Sequence, residues 1–344
     1  MTDAGQRRQS GPRSGVGGVP AAIALSPILS ARYRERDLER IHAAAPGSRL
    51  VSVSLEGLAD ADLSDVEVLL RGPLPAGVFD RLLARCPALV WVHSATAGVE
   101  RVLTPAALER GVVITNARGV FSDPIAEYVL MAILAVCRRL PQQLELQREH
   151  TWQPLEGTEL RDVTVGVVGL GSIGRRVAVL ATSFGARVIA TRRSAGAGVD
   201  GSLPGVEVLG AERLGELLGR SDFVVLALPL LPETEELFDE GMLAQVKPGA
   251  WLINVARGRL IDERALLRAL REGPLGGAVL DAFVDEPLPA DSPLYDLPNV
   301  IITPHTAWSS GRALDRSIEL FCDNLGRFTR GEPLLNLVDP VAGY

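Results

Sequence analysis

Four polar side chains, Arg257, Asp281, Glu286 and His305, stand just beyond short segments rich in valine, isoleucine and leucine. Such segments are typical of strands buried in a parallel sheet. The carboxyl ends of parallel strands meet at one edge of an open sheet, and ligands bind in the crevice at that edge. We therefore expect the four side chains to converge, although each one alone would also suit a surface salt bridge or a helix cap.

An arginine, a carboxylate and a histidine in one crevice suit hydride transfer to a 2-keto acid. Arg257 can bind the substrate carboxylate and polarise the keto oxygen. His305 can donate a proton to the alkoxide that forms. A carboxylate beside the imidazole orients the ring and favours its protonated form. Together these residue types predict the site of an oxidoreductase.

A glycine-rich turn predicts where a dinucleotide cofactor binds. The apolar segment Val163–Val168 reads as a buried strand, and Gly169, Gly171 and Gly174 follow it at G-x-G-x-x-G spacing before a helical pattern begins. The first glycine permits the tight turn, the second lets the backbone approach a pyrophosphate, and the third lets the helix pack closely on the strand. The alternative is a glycine-rich turn without a ligand.

Strands and helices alternate along the chain, which predicts an α/β fold. The predicted strands are Ala21–Leu25, Leu50–Val53, Val66–Leu70, Leu89–Val92, Val112–Asn116, Val163–Val168, Ala186–Thr191, Phe223–Leu228, Ala250–Val255, Gly277–Leu280 and Val300–Thr303. The last six belong to a doubly wound sheet of about six strands. A long helix is predicted from a cap at Ser122 or Asp123, with Pro124 as its first residue, to about Leu140, where Pro141 stops it. The polar segment Gln142–Arg148 continues helically.

We expect two Rossmann-like, doubly wound domains, with a dinucleotide-binding domain inserted in a smaller, flavodoxin-like substrate domain. The amphipathic segment Gly311–Thr329 is expected to return to the first domain, which otherwise lacks cover. The predicted parts are a disordered extension at 1–19, the substrate-binding domain at 20–117 and 308–344, and the NAD(P)-binding Rossmann domain at 118–307.

Composition limits the partners of this 344-residue chain. The net charge is −7, and no basic run interleaved with aromatic residues occurs, so neither nucleic acid nor an anionic membrane is an expected partner. No apolar stretch is long enough for a membrane-spanning helix, and no secretory signal is apparent. The three cysteines lie far apart without metal-ligand spacing, so we expect reduced thiols, a cytoplasmic protein and no bound metal.

Several motifs taken together resemble the D-isomer-specific 2-hydroxyacid dehydrogenase family, and in particular its glyoxylate/hydroxypyruvate reductases. The resemblance lies in Ala97–Val99, Ala126–Glu127, Val168–Gly174, Ala227–Thr234, Ile253–Gly258, Leu280–Leu288 and Thr303–Ala307. It implies NAD(P)-dependent reduction of a 2-keto acid to a D-2-hydroxy acid, two α/β domains around a cleft, and a homodimer. It assigns Arg257 to substrate binding and polarisation, Glu286 to the partner of the histidine, and His305 to acid–base catalysis.

The same resemblance implies further contacts with ligands. The amides of Ala95, Thr96, Ala97 and Gly98 would bind the substrate carboxylate, and Asp281 would bind the nicotinamide carboxamide. The remaining contacts with the dinucleotide are expected from Gly169, Gly171, Ser172, Ile173, Gly174, Leu228, Pro229, Thr234, Val255 and Ala256. His93, just before the substrate loop, is expected to be structural.

The end of the second predicted Rossmann strand indicates a preference for NADP(H), with NAD(H) as the alternative cofactor. The family pattern for NAD places an acidic residue there, whereas this chain has Arg192, Arg193 and Ser194. Arginine suits a 2′-phosphate, whereas a carboxylate suits the ribose hydroxyls. Two solvated arginines at a strand end are the alternative interpretation.

The substrate itself is left open by the sequence. Trp308 follows His305 closely, as in the transcriptional corepressor branch of the family, and would either form an apolar wall of the substrate pocket or pack between the domains. Two alternative functions stay open: reduction of a phosphonate-bearing or bulky keto acid in a specialised pathway, and a dinucleotide-sensing, corepressor-like interaction protein.

Overall fold

The computed structural model describes residues 17–28, 33–59, 61–193, 198–199 and 203–340, with only the backbone of 198–199. Residues 1–16 of the predicted disordered extension, and Ser194 of the predicted cofactor site, lie outside this part of the chain. The described residues form two compact units. The first unit runs to Val120 and resumes at Gly311, and the second is Phe121–Ser310.

Strands and helices alternate along most of the described part of the chain. The strands are β1 (Ala22–Leu25), β2 (Arg49–Ser52), β3 (Val66–Arg71), β4 (Trp91–Ser94), β5 (Val113–Asn116), β6 (Thr164–Val168), β7 (Arg187–Arg192), β8 (Gly198–Val199), β9 (Val206–Gly210), β10 (Phe223–Leu226), β11 (Trp251–Asn254), β12 (Gly277–Leu280) and β13 (Val300–Ile302). The α-helices are α1 (Glu35–Ala44), α2 (Ala76–Arg85), α3 (Pro105–Arg110), α4 (Ser122–Cys137), α5 (Leu140–Arg148), α6 (Ser172–Ser183), α7 (Leu214–Arg220), α8 (Glu240–Leu243), α9 (Glu263–Arg271) and α10 (Ala313–Arg330).

The first unit is built on a five-stranded parallel sheet of order β2-β1-β3-β4-β5. This is the strand order of flavodoxin-like folds. Helices α2 and α3 contribute to the core on one face, and α1 and α10 to the core on the other. Trp91 of β4 lies in the second of these cores, with its ring stacked 5.6 Å from that of Phe321 in α10. The last helix therefore completes the first unit, although almost 200 residues of chain lie between them.

The second unit holds the larger sheet, of order β13-β12-β11-β10-β6-β7-β9-β8. The strands β9-β7-β6-β10-β11-β12 follow the Rossmann order, and β13 extends it. All neighbours pair in parallel except β8, which is antiparallel to β9 at the edge. The two Rossmann-like sheets confirm the predicted α/β fold.

The larger sheet also corrects the prediction of about six strands, since eight pair among the described residues. The sequence pattern did not indicate β8 and β9. Val206–Gly210 contains the charged Glu207 and ends in a glycine, and Gly205 precedes it. A short strand of this kind becomes recognisable once β7 is in place to pair with it.

The long helix predicted from Pro124 to Leu140 is wrong at both ends. Helix α4 begins at Ser122, and no side chain caps it, so neither Ser122 nor Asp123 is its cap. It ends at Cys137, before Arg139, whose φ of 57° is left-handed. Pro141 lies in the first turn of α5 rather than stopping a helix. Proline is tolerated in a first turn, because the amides there have no partner within the helix.

Candidate active site

Each glycine of the turn between β6 and α6 has different surroundings. Gly169 has a φ of +98°, and a Cβ added there would lie 2.7 Å from the carbonyl oxygen of Ala227. A Cβ on Gly174 would lie 2.0 Å from the carbonyl oxygen of Gly169, so the helix packs against the turn itself. A Cβ on Gly171 would meet no atom of the described residues within 4 Å. The protein thus leaves space at Gly171, whereas Gly169 and Gly174 are enclosed.

This space lies where the twelve-residue helix α6 begins. The helix starts at Ser172, and Ile173 lies in its first turn. The first amides of a helix have no partner within it and carry partial positive charge, so they attract phosphate groups. An open glycine at the start of a helix fits a pyrophosphate, and both features are set by the local sequence.

Two arginines follow at the carboxyl end of β7. Arg192 ends the strand with its side chain partly buried, whereas Arg193 is exposed. The Nη1 atom of Arg193 lies 3.3 Å from the carboxylate of Glu233, in the loop after β10. An exposed ion pair of this kind contributes little to stability, typically about 0–1 kcal/mol. Arg193 therefore pairs with the carboxylate of Glu233, and a ligand phosphate would compete with that carboxylate.

The loop after β10, which contains Leu228 and Pro229, is closed by a threonine. The hydroxyl of Thr234 accepts the amide of Leu231 at 2.8 Å and donates to the carbonyl of Pro229 at 2.8 Å. The next strand, β11, is also followed by a turn, in which Val255 and Ala256 are buried. Both turns lie at the carboxyl edge of the sheet, and the turn after β10 is next to the glycine turn because β10 pairs with β6.

A histidine and a glutamate form the most direct contact of the predicted site. Nδ1 of His305 lies 2.9 Å from both carboxylate oxygens of Glu286. The same carboxylate accepts the amide of Phe283 at 3.0 Å. About two fifths of each side chain is exposed, so the ring and the carboxylate meet at the surface of the unit. The amide of Phe283 and the imidazole thus fix Glu286 from two sides.

The segment that carries Arg257 lies against the segment that carries Glu286, because their backbones are in close contact. A Cβ added to Gly258 would lie 1.9 Å from the carbonyl carbon of Phe283. Only glycine permits this approach, which holds the segment of Arg257 against the segment of Glu286. Asn254 closes the preceding turn, since its side chain accepts the amide of Ala256 at 3.0 Å and donates to the carbonyl of Arg257 at 2.9 Å. The guanidinium itself donates to the carbonyl of Ala256 at 2.8 Å.

Asp281 is buried and binds the segment that carries the histidine. Its carboxylate accepts the hydroxyl of Thr303 at 2.6 Å and the amides of Thr306 and Ala307 at 2.8 and 3.0 Å. Tyr128 of α4 makes a hydrogen bond of 2.7 Å with the same threonine hydroxyl. Asp281 therefore acts on the conformation of the loop, and the carboxamide contact implied by the resemblance stays a prediction.

The predicted substrate loop belongs to the first unit. The amide of Ala95 donates to the carbonyl of Arg71, and the carbonyls of Thr96, Ala97 and Gly98 each accept a hydrogen bond. Within the described residues, no bond from the amides of the last three is found. A loop whose carbonyls are occupied and whose amides face no protein acceptor suits an anion.

His93 lies in β4, just before this loop, and is completely buried. Its Nδ1 lies 2.8 Å from the hydroxyl of Thr115, and burial lowers the pKa of the imidazole to about 3. The ring is therefore neutral at physiological pH, as expected of a structural histidine.

The described residues offer neither a metal site nor a membrane-spanning helix. No group of three or more histidine, cysteine, aspartate or glutamate side chains among them is arranged to hold a metal ion. None of the described helices has the length and apolar character needed to cross a membrane.

Comparison with known proteins establishes the family. Residues 130–307 match the family model "D-isomer specific 2-hydroxyacid dehydrogenase, NAD binding domain". A glyoxylate reductase of Korarchaeum cryptofilum is 35% identical over 301 residues, which cover 86% of this chain and 87% of the relative. A D-3-phosphoglycerate dehydrogenase of Mycobacterium bovis is 42% identical over 238 residues, covering 69% of this chain but 44% of the relative.

A solved structure agrees with these relatives. The NADPH-dependent glyoxylate/hydroxypyruvate reductase of Sinorhizobium meliloti, in complex with NADP and sulfate, superposes with a TM-score of 0.81 at 31% identity, covering 94% of this chain and 100% of that one. The fold and the family model define an oxidoreductase with a dinucleotide-binding Rossmann domain. The chain belongs to the D-isomer specific 2-hydroxyacid dehydrogenase family and is an NAD(P)-dependent 2-hydroxyacid dehydrogenase.

Some contacts at the site were not anticipated from the sequence. The amide of Phe283, the side chain of Asn254 and the hydroxyls of Thr303 and Tyr128 hold the polar residues in place. Asn254 and Thr303 could have been found from the sequence, because each lies within three residues of a candidate residue. Tyr128 could not, because it lies on a helix far away in sequence.

The open space at Gly171 leads to a testable difference between two glycines. We expect Gly171→Ala to keep its melting temperature within about 2 °C but to weaken dinucleotide binding at least about tenfold, because the methyl group meets only the ligand. Gly174→Ala is the matched comparison and should lower the melting temperature, since its methyl group meets backbone. Calorimetry of both variants checks this, and unchanged dinucleotide affinity in Gly171→Ala would contradict it.

Proposed function

We propose that this protein reduces a small 2-keto acid to the D-2-hydroxy acid and prefers NADPH as the reductant. The observation that carries the proposal is the contact of the His305 ring with the Glu286 carboxylate, next to the segment of Arg257 and at the carboxyl edge of a dinucleotide-binding sheet. The glyoxylate reductases among the relatives support a small keto acid.

The residues fit a dinucleotide at the glycine turn, where Gly171 faces open space at the start of α6. Gly169, Gly171, Ser172, Ile173 and Gly174 would hold its phosphates, and the turns after β10 and β11 would line the rest. When bound, the reduced nicotinamide supplies a hydride to the keto carbon. The protein's own groups must bind the acid, polarise its carbonyl and deliver a proton.

Each residue of the catalytic group then has one task. Arg257 would bind the substrate carboxylate and the keto oxygen, which gains negative charge during the reaction. Since Nδ1 of His305 is turned to Glu286, Nε2 is the atom that would give its proton to that oxygen. Glu286 would fix the orientation of the ring through the contact with Nδ1. The amides of Thr96, Ala97 and Gly98 would add donors for the carboxylate.

The role of Arg257 is checked by Arg257→Ala. We expect kcat/KM for keto-acid reduction to fall by about 10²–10³, because the variant loses a preorganised donor to the developing charge. Arg259→Ala is a matched control, since Arg259 lies two residues away, is exposed and pairs with Glu235. The assay follows NADPH consumption with glyoxylate and hydroxypyruvate, and NADP reduction with D-3-phosphoglycerate. A variant with native kcat/KM would exclude the role.

The preference for NADPH is proposed from Arg192 and Arg193. A charge-assisted bond to a 2′-phosphate is worth about 1.5–3 kcal/mol, and exposure reduces it, so we expect about tenfold higher kcat/KM with NADPH than with NADH. Glu233 opposes the preference, because its carboxylate pairs with Arg193.

Arg192→Asp should reverse this preference by offering the ribose hydroxyls an acceptor. Arg187→Asp, at the opposite end of the same strand, is the control and should leave the ratio unchanged. Steady-state kinetics with both dinucleotides at low salt provides the measurement. Equal kcat/KM values for NADH and NADPH in the unmodified protein would show that the two arginines do not select the cofactor.

We further propose a homodimer. Exposed apolar side chains gather on α4, α5 and the loop after them: Met131, Leu140, Leu144 and Trp152, of which Trp152 is 99% exposed. Burying these side chains against a second copy would remove apolar surface from water. Light scattering at micromolar concentration should give about twice the chain mass of 36.7 kDa, and Trp152→Asp should shift the protein towards the monomer. A mass near that of one chain in the unmodified protein would contradict the dimer.

A further inference from the structure

His305 adopts a backbone conformation that its own side chain disfavours. Its φ is +53°, in the left-handed region, where residues other than glycine are uncommon. Such conformations persist where surrounding contacts hold them, and they cluster at functional sites. The ring of His305 is directed to Glu286 by this conformation together with the hydrogen bond between them.

The carbonyl of His305 is held by the side chain of Trp308. The indole Nε1 donates to that oxygen at 2.7 Å, a short distance for an N–H···O bond. The indole ring also meets the ring of Phe121 edge-on, with 6.2 Å between their centroids. The indole therefore closes a turn of four residues and fixes the peptide unit that follows the catalytic histidine.

The residues between His305 and Trp308 are bound by Asp281 rather than by the indole. Asp281 accepts the amides of Thr306 and Ala307 and lies on the buried side of the segment. The amide of His305 donates to the carbonyl of Thr303 at 3.0 Å, and the amide of Ser309 donates to the carbonyl of Thr306. Asp281 thus fixes the amides of the loop, whereas Trp308 fixes the carbonyl of the residue whose φ is positive.

We propose that Trp308 is a positioning residue, which acts on the reaction through the backbone of His305. This inference rests on the proposed function, because it assigns the proton transfer to His305. It differs from both expectations from the sequence, a wall of the substrate pocket and packing between domains. A positioning role affects every keto acid alike, whereas a pocket wall distinguishes substrates by size.

The test is Trp308→Phe, which keeps an aromatic ring against Phe121 and removes the donor. We expect kcat to fall about tenfold for both glyoxylate and a bulky aromatic keto acid, with KM changed less than about twofold, since losing one partly buried hydrogen bond costs about this much. Phe121→Leu is the matched control, because it removes the ring contact and keeps the indole donor, and it should retain kcat within about twofold. A change in KM for the bulky acid alone would overturn the positioning role.

A double-mutant cycle with Glu286→Gln tests the path of the effect. If Trp308 acts through His305, the loss in kcat from Trp308→Phe should be smaller when Glu286→Gln has already weakened the orientation of the ring. If the losses in kcat from the two substitutions simply multiply in the double variant, the proposal is overturned.

A measurement without turnover separates this inference from the proposed function. The indole N–H resonance of Trp308 is assigned by its disappearance in Trp308→Phe. Slow exchange of that proton with solvent, compared with the indole of Trp152, supports the bond to His305 even if no keto acid is reduced. Exchange as fast as that of Trp152 would overturn the inference, whatever the activity.

Discussion

The candidate site depends on the hydrogen bonds that the buried carboxylate of Asp281 accepts. Burying a charge is costly unless hydrogen bonds replace its water, and here three donors do so: the hydroxyl of Thr303 and the amides of Thr306 and Ala307. Those donors belong to the segment that carries His305. The need to satisfy one buried charge therefore fixes the path of this segment and with it the position of His305.

A second constraint is steric and joins the other two residues of the site. Gly258 approaches the backbone of Phe283 so closely that no side chain fits between them. The amide of Phe283 then holds Glu286, and Arg257 adjoins the glycine. Arg257 and Glu286 are thereby linked through backbone, which is stiffer than a contact between long side chains. Proton transfer needs such stiffness, because an error of about 1 Å in position can cost about a hundredfold in rate.

The two units contribute different parts of the proposed chemistry. The second unit contains the glycine turn and the three residues proposed to be catalytic, so hydride and proton delivery would be encoded on one sheet. The first unit contributes the loop Ala95–Gly98, whose carbonyls are occupied and whose amides suit a carboxylate.

The sequence by itself determined the α/β fold, the glycine turn, and the polar residues at the strand ends. These features are local: a buried strand needs a run of apolar residues, and a tight turn before a helix needs glycine at fixed spacing. The placement of Arg257, Glu286 and His305 at one edge also followed, since parallel strands bring their carboxyl ends together. Only the tertiary structure decided that His305 meets Glu286 through Nδ1, that the backbone of His305 is left-handed and that Trp308 donates to its carbonyl. It also decided where α4 ends and that β9 pairs with β7, because each of these depends on atoms brought together by packing rather than by neighbouring residues in the chain.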